Sequence, residues 1–210
     1  MINYLFLDLE TTGLNCETHD VVQLASIPII DGVRQEQVFN QYCQPINWQA
    51  IELEALAVNH LTIAQLKTFQ KPESLVNNFI TFLKPFNIKF TIAGYNIDFD
   101  RRFLSALFKK VGRENEFAEL FTSDTRDVYR YAKKIKSQLP TPNLKLSTLA
   151  TYFGIPIDAH DALSDISATI EVDKILSKML GDTGETIVET VAVVDKSLTL
   201  PEPAQLHCHF

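Results

Sequence analysis

The chain has 210 residues, is 46% hydrophobic and 21% charged, and carries a net charge of −7; this suits one domain with a real core and excludes a disordered chain. The acidic balance excludes a protein that coats nucleic acid through a broad basic surface, but not an enzyme that grips one strand end through metals and a few local cations. No apolar run reaches the length of a membrane span and no basic-then-apolar leader opens the chain, so a cytoplasmic address is expected.

In chain order, YLFLDLE, DVVQLASIPII and QVFNQYCQPI alternate as strands, with Asp31-Gly32 as a hairpin turn, so residues 1–44 read as an antiparallel meander of three strands. Residues 62–84 read as helical, with Leu66, Phe69, Leu75, Phe79, Phe82 and Leu83 as the apolar stripe and Pro72 dividing it. IKFTIAGY is a fourth strand. A helix starting near Asn96 repeats Phe99, Phe103 and Leu107 at steps of four. Residues 117–135 look helical, SQLPTPN is a loop, and LKLSTLATYFGI is a short helix ending at Gly154. The last strong helix runs from about Leu163 to Leu180. A meander followed by strand–helix alternation predicts an α/β fold, a mixed sheet flanked by helices. Beyond Gly181 the composition turns Thr/Val-rich with a Pro-x-Pro segment, so the expected organisation is a domain over 1–180 and a tail over 181–210, in which TIVETVAVV could pair as a strand. Cys16, Cys43 and Cys208, odd in number and without C-x-x-C spacing, read as ordinary thiols of a reducing compartment.

Three segments carry chemistry. In LFLDLETTGL, Asp8 and Glu10 stand two apart on a strand and so point to one side, following Tyr4 and Phe6 on that face. Leu5, Leu7 and Leu9 make the opposite face apolar too, which argues against a solvated acidic edge. Two carboxylates forced together at the rim of a core call for a positive charge between them, and a hard divalent cation with oxygen ligands supplies it. In AGYNIDFDRRFL, Asn96 suits a helix cap and Asp98 and Asp100 a first turn, a pattern that structure alone explains. In DAHDALSDISATIEV, Asp165 shares a helix face with Ala168, Val172, Ile175 and Met179, which puts a carboxylate at the core edge; His160 lies five residues upstream.

Taken in order, these segments resemble the DEDDh (DnaQ-like) 3′–5′ exonuclease family, whose members include proofreading epsilon subunits of bacterial replicative polymerases and stand-alone bacterial or phage exonucleases. FLDLETTGL matches the D-x-E-T-T-G motif, YNIDFDRRFL the N-x-x-F-D-x-x-F motif, and HDALSDISAT the H-x-A-x-x-D motif. VVQLASIPIIDG, VNHLT and KLSTLATYFGI fit between them, and the likeness covers roughly residues 3–180. Gln23 departs from a frequent Glu, and Asn59 from the His of proofreading subunits.

The resemblance implies a ribonuclease H-like fold with a central five-stranded mixed sheet. It implies metal-dependent hydrolysis at a DNA 3′ end, releasing nucleoside 5′-monophosphates, with RNA trimming by the same chemistry left open and a non-catalytic binding module as a third reading. Asp8, Glu10, Asp100 and Asp165 become ligands of two Mg²⁺ ions, with Mn²⁺ as a substitute, and His160 the general base. Thr11, Thr12 and Gly13 would present backbone N–H groups to the terminal 3′-hydroxyl, Leu14 would wedge against the terminal base, Phe99 would pack beneath it, and Asn96 belongs to the same substrate site. The partner implied is a single-stranded or frayed 3′ end. Gln205, Leu206 and Phe210 in the closing QLHCHF resemble the short peptide by which bacterial replication proteins dock on the sliding clamp.

Overall fold

The computed structural model describes residues 3–158 and 161–181. His160, the TIVETVAVV segment and the tail residues Gln205, Leu206 and Phe210 lie outside the described residues.

The framework is a mixed sheet built on β1 (Tyr4–Thr11), β2 (Val21–Ile30), β3 (Val33–Arg34), β4 (Phe39–Tyr42), β5 (Phe90–Gly94) and β6 (Phe121–Asp127). Its order is β3-β2-β1-β5-β6, and β4 also pairs with β2. β1 runs antiparallel to β2 and parallel to β5, and β5 is parallel to β6. The predicted meander is therefore β1–β2–β4, with the short β3 sharing the outer edge of β2. Asp31 and Gly32 both have left-handed φ (51° and 80°), which is the backbone a tight two-residue hairpin requires.

Eight α-helices are described: α1 (Leu53–Val58), α2 (Ile63–Leu66), α3 (Pro72–Leu83), α4 (Asp98–Lys110), α5 (Glu114–Leu120), α6 (Val128–Lys134), α7 (Leu146–Phe153) and α8 (Ala162–Met179). Both faces of β1 are buried. Leu5, Leu7 and Leu9 join Phe79, Phe90, Phe103 and Phe108 on one side, where α3 and α4 pack; Tyr4 and Phe6 join Ile166, Ile170 and Leu176 of α8 on the other. Burying each of these large side chains contributes about 1.5–3 kcal/mol.

Three expectations change. The helix anticipated over 117–135 is interrupted by β6, whose sequence FTSDTRD hides its strand character: it is an edge strand, paired on one side only, and Ser123 and Asp124 face solvent. The 62–84 stretch is divided as expected, Pro72 starting the second helix at a position where its missing N–H costs nothing, but its apolar stripe changes. Phe69 leaves the stripe and stacks on Tyr42 at 4.9 Å between ring centroids. The third change concerns Asn96, which is not the cap: Ile97 holds that position, and Asn96 is itself left-handed at φ 58°.

A buried ion pair ties β6 to α8. The Arg126 guanidinium donates through Nε to both Asp173 carboxylate oxygens at 3.0 and 2.9 Å, and also to the Tyr4 hydroxyl and Ser177 Oγ. Burial is the largest influence and opposes its charge, but Asp173, Tyr4 and Tyr131 together outweigh it and hold the guanidinium firmly protonated. Arg126→Met should remove the guanidinium from the buried Asp173 carboxylate and cost about 3–5 kcal/mol in urea unfolding. The double variant with Asp173→Leu should recover most of that loss; a double variant less stable than Arg126→Met would contradict the assignment.

Candidate active site

The site forms at the carboxyl ends of β1 and β5, where parallel strands of an α/β sheet open toward solvent. Period-two alternation puts Asp8 and Glu10 on the face of Tyr4 and Phe6, and a bulge between Glu10 and Thr11 then turns the chain. Asp100, in the first turn of α4, reaches back to β1: its Oδ1 accepts the Leu9 N–H at 3.1 Å, and it is only 6% exposed. Asp98, two residues earlier, faces solvent and pairs with Arg130. Asp165 lies half-buried in the first turn of α8, downstream of Asp161, which caps that helix by accepting the Ser164 N–H at 2.8 Å.

The four carboxylates act on one another. Burial, followed by the charges of Asp100, Glu10 and Asp165, raises Asp8 well above the ordinary carboxylate range. Burial and Asp165 push Glu10 up to about 7. Burial pushes Asp100 up to about 8 against the lowering effect of the Leu9 N–H, with Glu10 and Asp127 adding to the rise. So Asp8 and Glu10, with Asp100 and Asp165 from distant parts of the sequence, share one electrostatic site. Among the described residues no three His, Cys, Asp or Glu side chains form a ready-made metal cage. An open set of hard oxygen donors under charge stress nevertheless fits Mg²⁺, which keeps several waters and takes only one or two carboxylates directly.

The turn after β1 is braced from several sides. Thr12 is fully buried; its N–H donates to the Asp20 carbonyl and its hydroxyl accepts the Asp20 N–H, both at 2.9 Å. That N–H is therefore engaged within the protein, which corrects the expectation that Thr12 offers it to a 3′-hydroxyl. The Thr11 hydroxyl donates to the Gly13 carbonyl at 2.8 Å. A side chain at Gly13 would place its Cβ 2.6 Å from the His19 ring, so only glycine lets the turn close on it. Lys110 of α4 bonds the His19 carbonyl and Asp20. At the tip of this fixed turn, Leu14 is 80% exposed. Phe99 is half-buried against Phe103, with ring centroids 4.7 Å apart, and Asn96 is exposed.

The two departures from the family pattern have structural readings. Gln23 lies directly across from Glu10 in the β1–β2 register and donates to Asn40 Oδ1 at 2.9 Å, so a neutral amide spares Glu10 another anion. Asn59 donates to the Thr11 carbonyl at 2.9 Å and thus supports the turn. Beside them a cavity of about 470 Å³ opens between Tyr42, Phe69, His60 and Asp161. Sequence reasoning missed Asp127: buried at the end of β6, it accepts the Asn96 N–H at 3.1 Å, caps α6 and acts on Asp100. A signal existed in Asp127 preceding the helical VYRYAKK run, but the strand before it was not recognised. Burial, then Asp20 and Glu73, push the Cys43 thiol up to about 12.

Comparison with known proteins gives the family and the fold. Residues 5–172 match the exonuclease family RNase_T. The PolC-type DNA polymerase III of Thermotoga petrophila is 24% identical over 208 residues, covering 98% of this chain and 14% of the relative; that of Bacillus cereus is 27% identical over 184 residues, covering 85% and 11%. The chain thus spans about one-seventh or less of the length of these relatives. Escherichia coli exonuclease I in complex with a dT13 oligonucleotide superposes with a TM-score of 0.73 at 21% identity, over 87% of this chain and 43% of that one. A zinc-bound complex of the same enzyme with single-stranded DNA superposes equally well, at 0.73 and 20% identity. Among the described residues no helix is long and apolar enough to cross a membrane. With its motifs, its mixed sheet and the family match over most of its length, the chain belongs to the RNase_T exonuclease family, the DnaQ-like 3′–5′ exonucleases of ribonuclease H-like fold.

Proposed function

We propose that this chain hydrolyses phosphodiester bonds at single-stranded or frayed DNA 3′ ends, in a metal-dependent reaction that releases nucleoside 5′-monophosphates. The observation that carries the reading is the convergence of Asp8, Glu10, Asp100 and Asp165 under mutual repulsion, beside a braced turn with Leu14 at its exposed tip. DNA is favoured over RNA because the similar polymerases are DNA polymerases and the similar exonuclease I structures hold DNA oligonucleotides. Asp8, Glu10 and Asp165 would hold one Mg²⁺, and Asp8 with Asp100 a second. Bound there, such ions supply positive charge to the attacking and leaving oxygens and acidify water.

The chain's own residues carry the rest of the proposed reaction. The turn at Thr11–Leu14 sets the terminal nucleotide, with Leu14 against the last base and Phe99 beneath it. His160 takes the proton of the attacking water. A frayed base enters at lower cost than a paired one, because no stacking or pairing has to be broken. Release of mononucleotides from single-stranded DNA, 3′-mismatched duplex and RNA, each with Mg²⁺ and with EDTA, tests the reading; no Mg²⁺-dependent release from any of the three overturns it.

Asp8→Ala, Glu10→Ala, Asp100→Ala and Asp165→Ala should each nearly abolish hydrolysis, while Asp98→Ala should cost little, since Asp98 is exposed and paired with Arg130. His160→Gln should keep the fold and lower turnover by about 10²–10⁴, removing the acidic limb of the pH–rate profile. Activity that survives Asp100→Ala but not Asp98→Ala would show the motif register to be misassigned.

The raised carboxyl groups also predict a pH-dependent stability. An unfolded Glu10 or Asp100 loses its proton near pH 4, whereas the folded groups hold theirs to about 7 and about 8. Between those limits the native state binds more protons than the unfolded one, so stability falls as pH rises from about 5 to 8. The metal-free protein should therefore melt lower at pH 8 than at pH 5.5, Mg²⁺ should raise the melting point more at pH 8, and Asp100→Asn should flatten the dependence. Melting points that do not change with pH would remove the charge stress from the argument.

The closing QLHCHF is proposed as a docking peptide for a sliding clamp, following Pro201 and Pro203 in the sequence. A 199–210 peptide should bind the host's clamp at micromolar concentration and lose that binding when Gln205 and Phe210 become Ala. Binding that is unaffected by both changes removes the motif from consideration.

A further inference from the structure

Next to the carboxylates, at the ends of β5 and β6, lies a second cavity of about 580 Å³ whose lining includes Tyr95, Asn96, Tyr129, Asn143 and Lys145. Its aromatic wall is held in place. The Tyr95 hydroxyl donates to the Leu144 carbonyl, and the Tyr95 and Tyr129 rings stand 5.7 Å apart. Lys133 Nζ lies 4.6 Å above the Tyr129 ring.

The charge here is opposite to that of the molecule. From Val128 to Ile157 the chain carries Arg130, Lys133, Lys134, Lys136 and Lys145 and no Asp or Glu, in a protein of net charge −7. Arg130 is engaged by Asp98 and Asp127, but Lys133 and Lys145 are exposed and carry no ion pair among the described residues. Asp127, which bonds the lining residues Asn96 and Tyr129 through their N–H groups, is buried and also engages Arg130. Aromatic faces rimmed by unpaired cations suit single-stranded nucleic acid: bases stack on the rings and phosphates meet the ammonium groups. Asn96 joins this cavity to the carboxylate site, three residues before Phe99 and four before Asp100.

We propose that this cavity binds the one or two nucleotides on the 5′ side of the scissile phosphodiester, a base against Tyr129 and the following phosphates at Lys133 and Lys145. The inference rests on the exonuclease reading above. It follows that an acidic protein grips its strand through one local basic and aromatic patch, and that the patch acts on long substrates only.

The test compares the p-nitrophenyl ester of thymidine 5′-monophosphate, which has no strand on the 5′ side, with a thymidine oligonucleotide of about ten residues, long enough to cross a single-strand site. For the pair Lys133→Ala with Lys145→Ala, KM on the oligonucleotide should rise about tenfold or more. The slope of log KM against log salt should fall by about 0.7 for each lysine removed. Tyr129→Ala should raise the oligonucleotide KM by about tenfold, and Tyr129→Phe should restore it. Turnover of the small ester should stay within about twofold of wild type in every variant, a bound that also reports an intact fold. Unchanged oligonucleotide KM and salt slope, or equal losses on both substrates, overturn the subsite. Fluorescence anisotropy of the labelled oligonucleotide in Ca²⁺ separates the two readings. A wild-type protein that turns over neither substrate but binds the strand through Lys133, Lys145 and Tyr129 overturns the hydrolytic reading alone. One that does not bind it overturns the subsite.

Discussion

The repulsion among Asp8, Glu10, Asp100 and Asp165 is the constraint around which the rest of the molecule is arranged. Burial and neighbouring charge both oppose ionisation of the first three, so the fold holds carboxylates where they are least comfortable without a cation. A structure can sustain that only if the elements carrying the acids are fixed independently of the site. β1 meets this condition because both its faces are packed in apolar clusters. Asp100 meets it through the Leu9 N–H, which fastens the start of α4 to the middle of β1.

The turn after β1 follows the same logic. Thr12 and Lys110 both bond Asp20, and Asn59 bonds the Thr11 carbonyl, so the turn is set by the protein before any ligand arrives. Binding energy then need not be spent on ordering it, and Leu14 can stand exposed on a rigid support. Sterically, Gly13 belongs to this brace, because the His19 ring occupies the space a side chain would take.

Much of the site was readable because its signals are local and periodic. Two carboxylates two apart on an alternating strand converge by geometry alone, and Asp31-Gly32 announces its hairpin by residue type. The three-strand meander and α7, α8 and α3 follow from hydrophobic period in the same way. What escaped depends on context. β6 is an edge strand with solvent-facing polar residues, so it lacks the alternation that marks a half-buried strand, and losing it also hid Asp127 at its end. The basic run over 128–157 is visible in composition, but its meaning depends on a cavity that tertiary packing makes. The His160 and QLHCHF assignments rest on motif likeness and lie outside the described residues.

The stripe expected on α8 shows how a correct residue can be reached through an imprecise face. Ala168 and Val172 are buried as expected, but Ile175 is half-buried and Met179 exposed, and the buried side extends instead to Ile166, Thr169, Ile170, Asp173, Leu176 and Ser177. Asp165 therefore sits at the margin of the packed face, where a carboxylate can reach both the sheet and water. What sets that margin is Asp173: its contact with Arg126 joins α8 to β6 and fixes the helix in rotation and along its axis. At a rise of 1.5 Å per residue Asp165 lies about 12 Å along the same rigid rod. A slip or turn of α8 would carry Asp165 away from Glu10, and it is opposed by a buried ion pair that is costly to break. One helix thus carries both acids, Asp173 held by Arg126 and Asp165 acting on Asp8 and Glu10. The first fixes the position of the second.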